Sequence, residues 1–181
     1  MSLKPSLIPD VPDLTARVAH AAFPKGNPYL RLRDELGPVF HDADFGELYP
    51  RRGQPALPPW KLALVTVLQF AEDLSDRQAA NAVRGRIDWK YALGLELDDP
   101  GFHFSALSEF RGRLTAAGAQ RLLLDEMLEA CKDRGLLKAR ARQRTDSTHV
   151  LAATRDLNRL ELVGETLRAT LNALADRKSV V

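Results

Sequence analysis

From Trp60 to Phe70 apolar side chains stand at Trp60, Leu62, Leu64, Val65, Val67, Leu68 and Phe70, leaving no polar side at helical spacing. A helix that is apolar nearly all round belongs at the centre of a bundle, because each face needs another element to cover it. The helix is expected over residues 59–73, with Pro59 just inside its start, where a missing N–H is harmless. Ser75 followed by Gln78 forms a capping box for the next helix. Ala79, Ala80, Ala82 and Val83 keep that helix thin enough to pack closely. After Gly85, "IDWKYALGL" reads as a third short helix with Trp89, Leu93 and Leu95 turned inward.

The same pattern extends both ways. Residues 1–27 form a proline-punctuated arm with one short helix over 14–23. "NPYLRLRDELG" opens a second at Pro28 and closes it at Gly37, and a Gly- and Pro-rich linker fills 49–59. Downstream, residues 98–101 make a turn. Ser105 is the expected cap of a helix whose Leu107, Phe110 and Leu114 share one side. Gly118 breaks that helix, and a long one is expected over 119–134 through Leu122, Leu123, Met127, Leu128 and Cys131, ending at Gly135.

At Thr145 the period changes. Thr145, Ser147, His149 and Leu151 alternate with Asp146, Thr148, Val150 and Ala152, which predicts a strand over 145–153. A last helix over 156–176 carries an apolar stripe through Leu157, Leu160, Val163, Leu167, Leu171 and Leu174. One strand cannot make a sheet, so this end of the chain requires partners for its backbone groups. Three segments result: an arm with short helices (1–50), a helical domain (51–137), and a basic linker with one strand and one helix (138–181).

Composition narrows the class. A chain of 181 residues with 45% hydrophobic and 28% charged residues suits a globular protein and excludes a disordered one. No apolar run is long enough for a membrane-spanning helix and no apolar signal core opens the chain, so a cytoplasmic location and no membrane partner are expected. The single cysteine, Cys131, excludes an internal disulfide, and its apolar surroundings suggest a buried structural thiol. The net charge of +2 is unevenly spread. Residues 1–50 carry 5 basic and 7 acidic groups, residues 51–137 carry 12 and 12, and residues 138–181 carry 9 and 5. The basic excess at the end suits a polyanionic partner there, and a solvated face would look the same.

Asp146 is the one candidate for metal chemistry, since a carboxylate on a strand can hold a hard cation such as Mg²⁺ or Mn²⁺. Two-ion phosphoryl chemistry needs more than one converging carboxylate, and a lone Asp serves equally well as a turn or edge residue. His149, three positions on, would face the opposite side of a strand; His103, between Phe102 and Phe104, suits packing near a helix start. Two patches fit nucleic acid. Arg111 and Arg113, with Ser105 and Ser108, lie on one helix that could enter a groove. Lys138, Arg140, Arg142 and Arg144 alternate along the chain, a row suited to phosphates if extended.

Taken together, "LSDRQ", "ALGL", "DDPG", "SALSEFRGRL" and "TDSTHV", in this order and spacing, resemble bacterial insertion-sequence transposases of the DDE class, most like the IS1182/IS5-like branch. The likeness runs over residues 27–175. It implies a mainly α fold: a helical bundle of DNA-binding type, then an incomplete RNase H-like α/β segment. Asp146 would be the first acid of the catalytic triad and a ligand for Mg²⁺ or Mn²⁺ in an intact enzyme. Such enzymes carry further acids on later strands, which do not appear in the 35 residues after Asp146. The resemblance therefore implies a truncated, catalytically incomplete transposase that holds no stable metal and binds double-stranded DNA at element ends. It also leaves open a DNA-binding regulator that joins itself or a full-length transposase, and a non-functional remnant.

Overall fold

Helix α3 (Pro59–Ala71) lies at the centre of the fold, with every residue from Pro59 to Gln69 buried except Lys61. In the computed structural model, which describes residues 2–50 and 52–136, it is flanked by α4 (Asp76–Gly85), α6 (Ser105–Ala116) and a 3-10 helix (Asp42–Leu48). The expected central helix is thus in place, for the reason its sequence gives: no face of it tolerates water. Its first turn is capped from a distance. Pro58 has no side-chain acceptor, and Asp42 supplies one instead, its Oδ1 accepting from the Trp60 N–H at 3.2 Å. The other oxygen of Asp42 accepts from the Ser6 N–H and hydroxyl at 2.8 and 2.9 Å, which fastens the N-terminal arm to the start of α3.

Helix α4 begins as its capping box requires, with Gln78 N–H donating to Ser75 Oγ and Ser75 N–H donating to Gln78 Oε1. Its small residues Ala79, Ala80, Ala82 and Val83 are buried. Helix α5 (Ile87–Ala92) packs against α1 (Asp13–Ala22) and α2 (Pro28–Leu36). Leu107, Phe110 and Leu114 form the inner side of α6, and α7 (Leu122–Asp133) adds Leu123, Met127 and the buried thiol Cys131 to the same core. Residues of the 1–50 segment join it too, among them Leu36, Phe40 and Phe45. A second, smaller cluster unites Ala19 of α1, Leu30 of α2 and Tyr91 of α5.

Three expectations are corrected. Ser105 does not cap α6 from outside. It is the first helical residue, and its N–H donates to His103 Nδ1, so the histidine side chain takes the cap's place. Helix α7 begins at Leu122 rather than at 119, after a turn in which Leu122 N–H reaches the Ala119 carbonyl. The larger correction concerns class. The described residues form helices and no β-strand; the sole β-type contact among them is an isolated bridge between Ser2 and Pro55. The expected RNase H-like α/β class is therefore corrected: among the described residues the elements are helices, and there is no sheet for a strand to join. The strand expected over 145–153, with Asp146 and His149, and the helix over 156–176 lie outside the described residues.

Candidate nucleic-acid interface

Helices α4 and α6 are locked side by side by three polar side chains drawn from three helices. Gln69, near the end of α3, donates from Nε2 to Asp76 Oδ1 at 2.7 Å and to the Leu74 carbonyl at 3.0 Å. Arg111 of α6 donates to Asp76 Oδ2 at 2.7 Å and to Gln69 Oε1 at 3.4 Å. The Arg111 guanidinium, opposed by partial burial and aided by Gln69, holds the Asp76 carboxyl below its ordinary range. Asp76 is also the first residue of α4, where a carboxylate is favoured by the helix dipole. The segment leading into α6 is fastened as well. Lys90, 2% exposed, donates from Nζ to the carbonyls of Glu96 at 3.2 Å and Asp99 at 2.8 Å.

The four candidates on α6 therefore do not share one surface. Arg111 points toward α4 and is occupied by Asp76. Arg113 lies on the other flank, its guanidinium 4.8 Å from the centre of the Tyr49 ring. There it borders an open hollow of about 300 Å³, with Leu57, Ala106 and Phe110 on its apolar side and Ser105 and Glu109 among its polar lining. Ser105 pairs with His103 Nδ1 at 3.0 Å, and the His103 ring stacks near Phe104 with centroids 4.2 Å apart. Ser108 is exposed, and its hydroxyl proton goes to the Ser105 carbonyl at 2.9 Å. Thr115 does the same with the Arg111 carbonyl at 3.0 Å. Both hydroxyl oxygens are left with acceptor capacity toward solvent. Lys138, Arg140, Arg142 and Arg144 lie outside the described residues.

On α4 the arrangement is reversed. Arg77, Gln78, Asn81 and Arg84 are exposed, opposite the buried alanines. Sequence reasoning placed none of them in a site, although their positions relative to Ala79, Ala80 and Val83 were the available signal. Arg77 rests over the Phe104 ring at 4.8 Å, which ties this face to the residue preceding α6.

A further polar cluster lies where α3, α5 and α2 meet. Arg86 grips Asp88 through Nε at 3.0 Å and Nη2 at 2.6 Å and also pairs with Glu72. Tyr29 donates to Glu72, and Trp89 Nε1 reaches the same oxygen at 3.3 Å. Burial would raise the Glu72 carboxyl, but the hydrogen bonds from Arg86 and Tyr29 outweigh it and hold the group below its ordinary range. Burial and the Glu72 carboxylate push the Tyr29 hydroxyl well above the usual tyrosine range. Every polar atom in this cluster faces another, which suits a brace between helices.

Among the described residues no three or more His, Cys, Asp or Glu side chains converge on a possible metal site. Asp146 lies outside them. No described helix is long and apolar enough to cross a membrane.

No curated protein and no solved structure matches the chain. One family model does, described as a transposase domain (DUF772), over residues 17–113. The match begins inside α1 and ends inside α6, covering more than half of the 181 residues. It stops short of 144–175, so the catalytic part of the resemblance is corrected: the family extends to the helical domain, and no DDE-type catalytic segment is supported. The chain belongs to the DUF772 transposase-domain family.

Proposed function

We propose that the chain is a DNA-binding domain of the transposase kind, acting on duplex DNA such as the ends of a mobile element. The observation that carries this reading is the Gln69–Asp76–Arg111 lock, which holds α6 beside α4 with the outer edges of both helices open to a partner. In this account Ser108 accepts hydrogen bonds from base amino groups, while Ser105 and Arg113 flank it. Lys138, Arg140, Arg142 and Arg144 contact phosphates. Arg111 acts as a positioning residue that fixes α6 against α4.

The test is a titration of duplex DNA by fluorescence anisotropy over a salt series. Binding should weaken linearly in the logarithm of salt, and replacing the four basic residues by alanine should flatten the slope by up to about 4 units. Absence of binding at low salt, or an unchanged slope in the four-alanine variant, contradicts the proposal.

A further inference from the structure

The outward face of α4 offers hydrogen-bond donors and almost no acceptors. Gln78 has one acceptor oxygen, and it receives both the Ser75 N–H and the Ser75 hydroxyl at 2.8 Å. Since a backbone N–H can only donate, that end of the amide is the oxygen, and the Nε2 amino group points away with no partner among the described residues. The Asn81 Oδ1 receives Arg84 Nη1 at 3.2 Å, which fixes that amide in the same sense and frees its Nδ2 donors. Arg84 is itself anchored, its Nε donating to the Pro100 carbonyl at 3.0 Å, with Nη2 left unengaged among the described residues. Arg77 rests, among the described residues, against the Phe104 ring.

The charge agrees. Asp76, the one acid of α4, is neutralised by Arg111, so the helix shows two guanidinium groups and two amide donors. The spacing of Arg77, Asn81 and Arg84, four and three residues apart, sets them along one side of the helix. Adenine presents an acceptor beside a donor and takes both ends of one amide; the Gln78 oxygen is filled by two hydrogen bonds and the Asn81 oxygen keeps a single lone pair, so the face is weighted toward donors. Phosphate oxygens need donors only.

We propose that this face of α4 seats on the sugar–phosphate backbone of duplex DNA, with Arg77 and Arg84 as the charged contacts and Gln78 and Asn81 as neutral ones. The assignment rests on the DNA-binding function above, and it divides labour between the helices: α4 sets position, α6 meets the bases.

The experiment uses the full chain, a mixed-sequence duplex and a duplex of A·T pairs only, each over a salt series. Arg77→Ala and Arg84→Ala should each lower the log–log salt slope by about 0.9, equally on both duplexes, and the double variant by about twice that. Arg84→Lys should keep the slope, which separates loss of charge from loss of the Pro100 anchor. Circular dichroism of every variant should match the parent. Unchanged slopes with the parent still bound overturn this assignment and leave the DNA-binding function standing. A loss confined to the mixed-sequence duplex also overturns it, making α4 a base reader. Binding of polyglutamate as tightly as DNA would identify an acidic protein as the partner instead. A parent chain that binds neither duplex at low salt overturns the function and the assignment together.

Discussion

Helices α4 and α6 are of similar length, α4 with two arginines and two amide side chains and α6 with two arginines and three hydroxyls, yet they present opposite chemistry. On α6 the hydroxyl protons of Ser108 and Thr115 go to the helix's own carbonyls and Arg111 goes to Asp76, so acceptors remain outside. On α4 the Gln78 oxygen is filled by Ser75 and the Asn81 oxygen holds Arg84, so the outside is weighted toward donors. Residue type nominates a surface. What each side chain has already bonded to decides what that surface can offer.

The largest effect should come from the buried side of α6. Phe110 is 1% exposed and meets Phe45 edge-on with ring centres 5.6 Å apart. Phe110→Ala should cost about 3–5 kcal/mol through the cavity it leaves, whereas Ser108→Ala on the outer face should cost less than about 0.5. Urea denaturation of both checks the contrast, and equal losses would mean that α6 is not seated as described.

Arginine substitutions sharpen the comparison at the next scale. Arg111→Ala leaves Asp76 without its cation and should destabilise the fold by about 1–2 kcal/mol, allowing for partial exposure of the pair. Arg77→Ala, which removes only a ring contact at the surface, should stay within about 0.5 kcal/mol. If the two variants melt alike, Arg111 is no lock.

Acid separates the same two helices more gently. Arg111 depresses the Asp76 carboxyl in the folded chain, so the stabilisation is fully present above the unfolded value of about 3.9 and is lost as pH falls through the lower folded value. Glu72, depressed by Arg86 and Tyr29 against its burial, loses its contribution in the same direction. Glu126, raised by burial and by the nearby acids Asp44 and Glu129, has the opposite sign and gains stability as pH falls. The stability gap between the parent and Arg111→Ala should hold from neutral pH to about pH 5 and narrow below about pH 4. A gap that does not change with acid would remove Asp76 as the partner that matters.

These contrasts also mark how much was legible in the sequence. Periodicity was enough for α3, because an all-apolar helix has one place to go, and for α4, whose capping box joins residues three apart. It also found the inner side of α6, Leu107, Phe110 and Leu114, but not the start of that helix, where the Ser105 N–H donates to His103, since an imidazole acceptor two residues ahead leaves no pattern. The cap on α3 comes from Asp42, 18 residues from Trp60, and the partner of Arg111 is 35 residues away at Asp76. Pairings at that range follow from packing, and a local reading has no access to them. That limit hides the Asp76 partner of Arg111 from a local reading of α6. The RNase H-like class has a different origin: it follows from a resemblance that runs past the helical domain, whereas the family match ends at 113.

The most direct test of the division between the two helices is the side-chain amide region of a nitrogen-edited NMR spectrum, recorded as duplex DNA is added to the labelled chain. The Gln78 and Asn81 amino groups should shift early and together with the Arg77 and Arg84 Nε–H signals, while the Arg111 Nε–H signal stays close to its free position. Shifts at Arg111 with silent Gln78 and Asn81 amides would contradict the account.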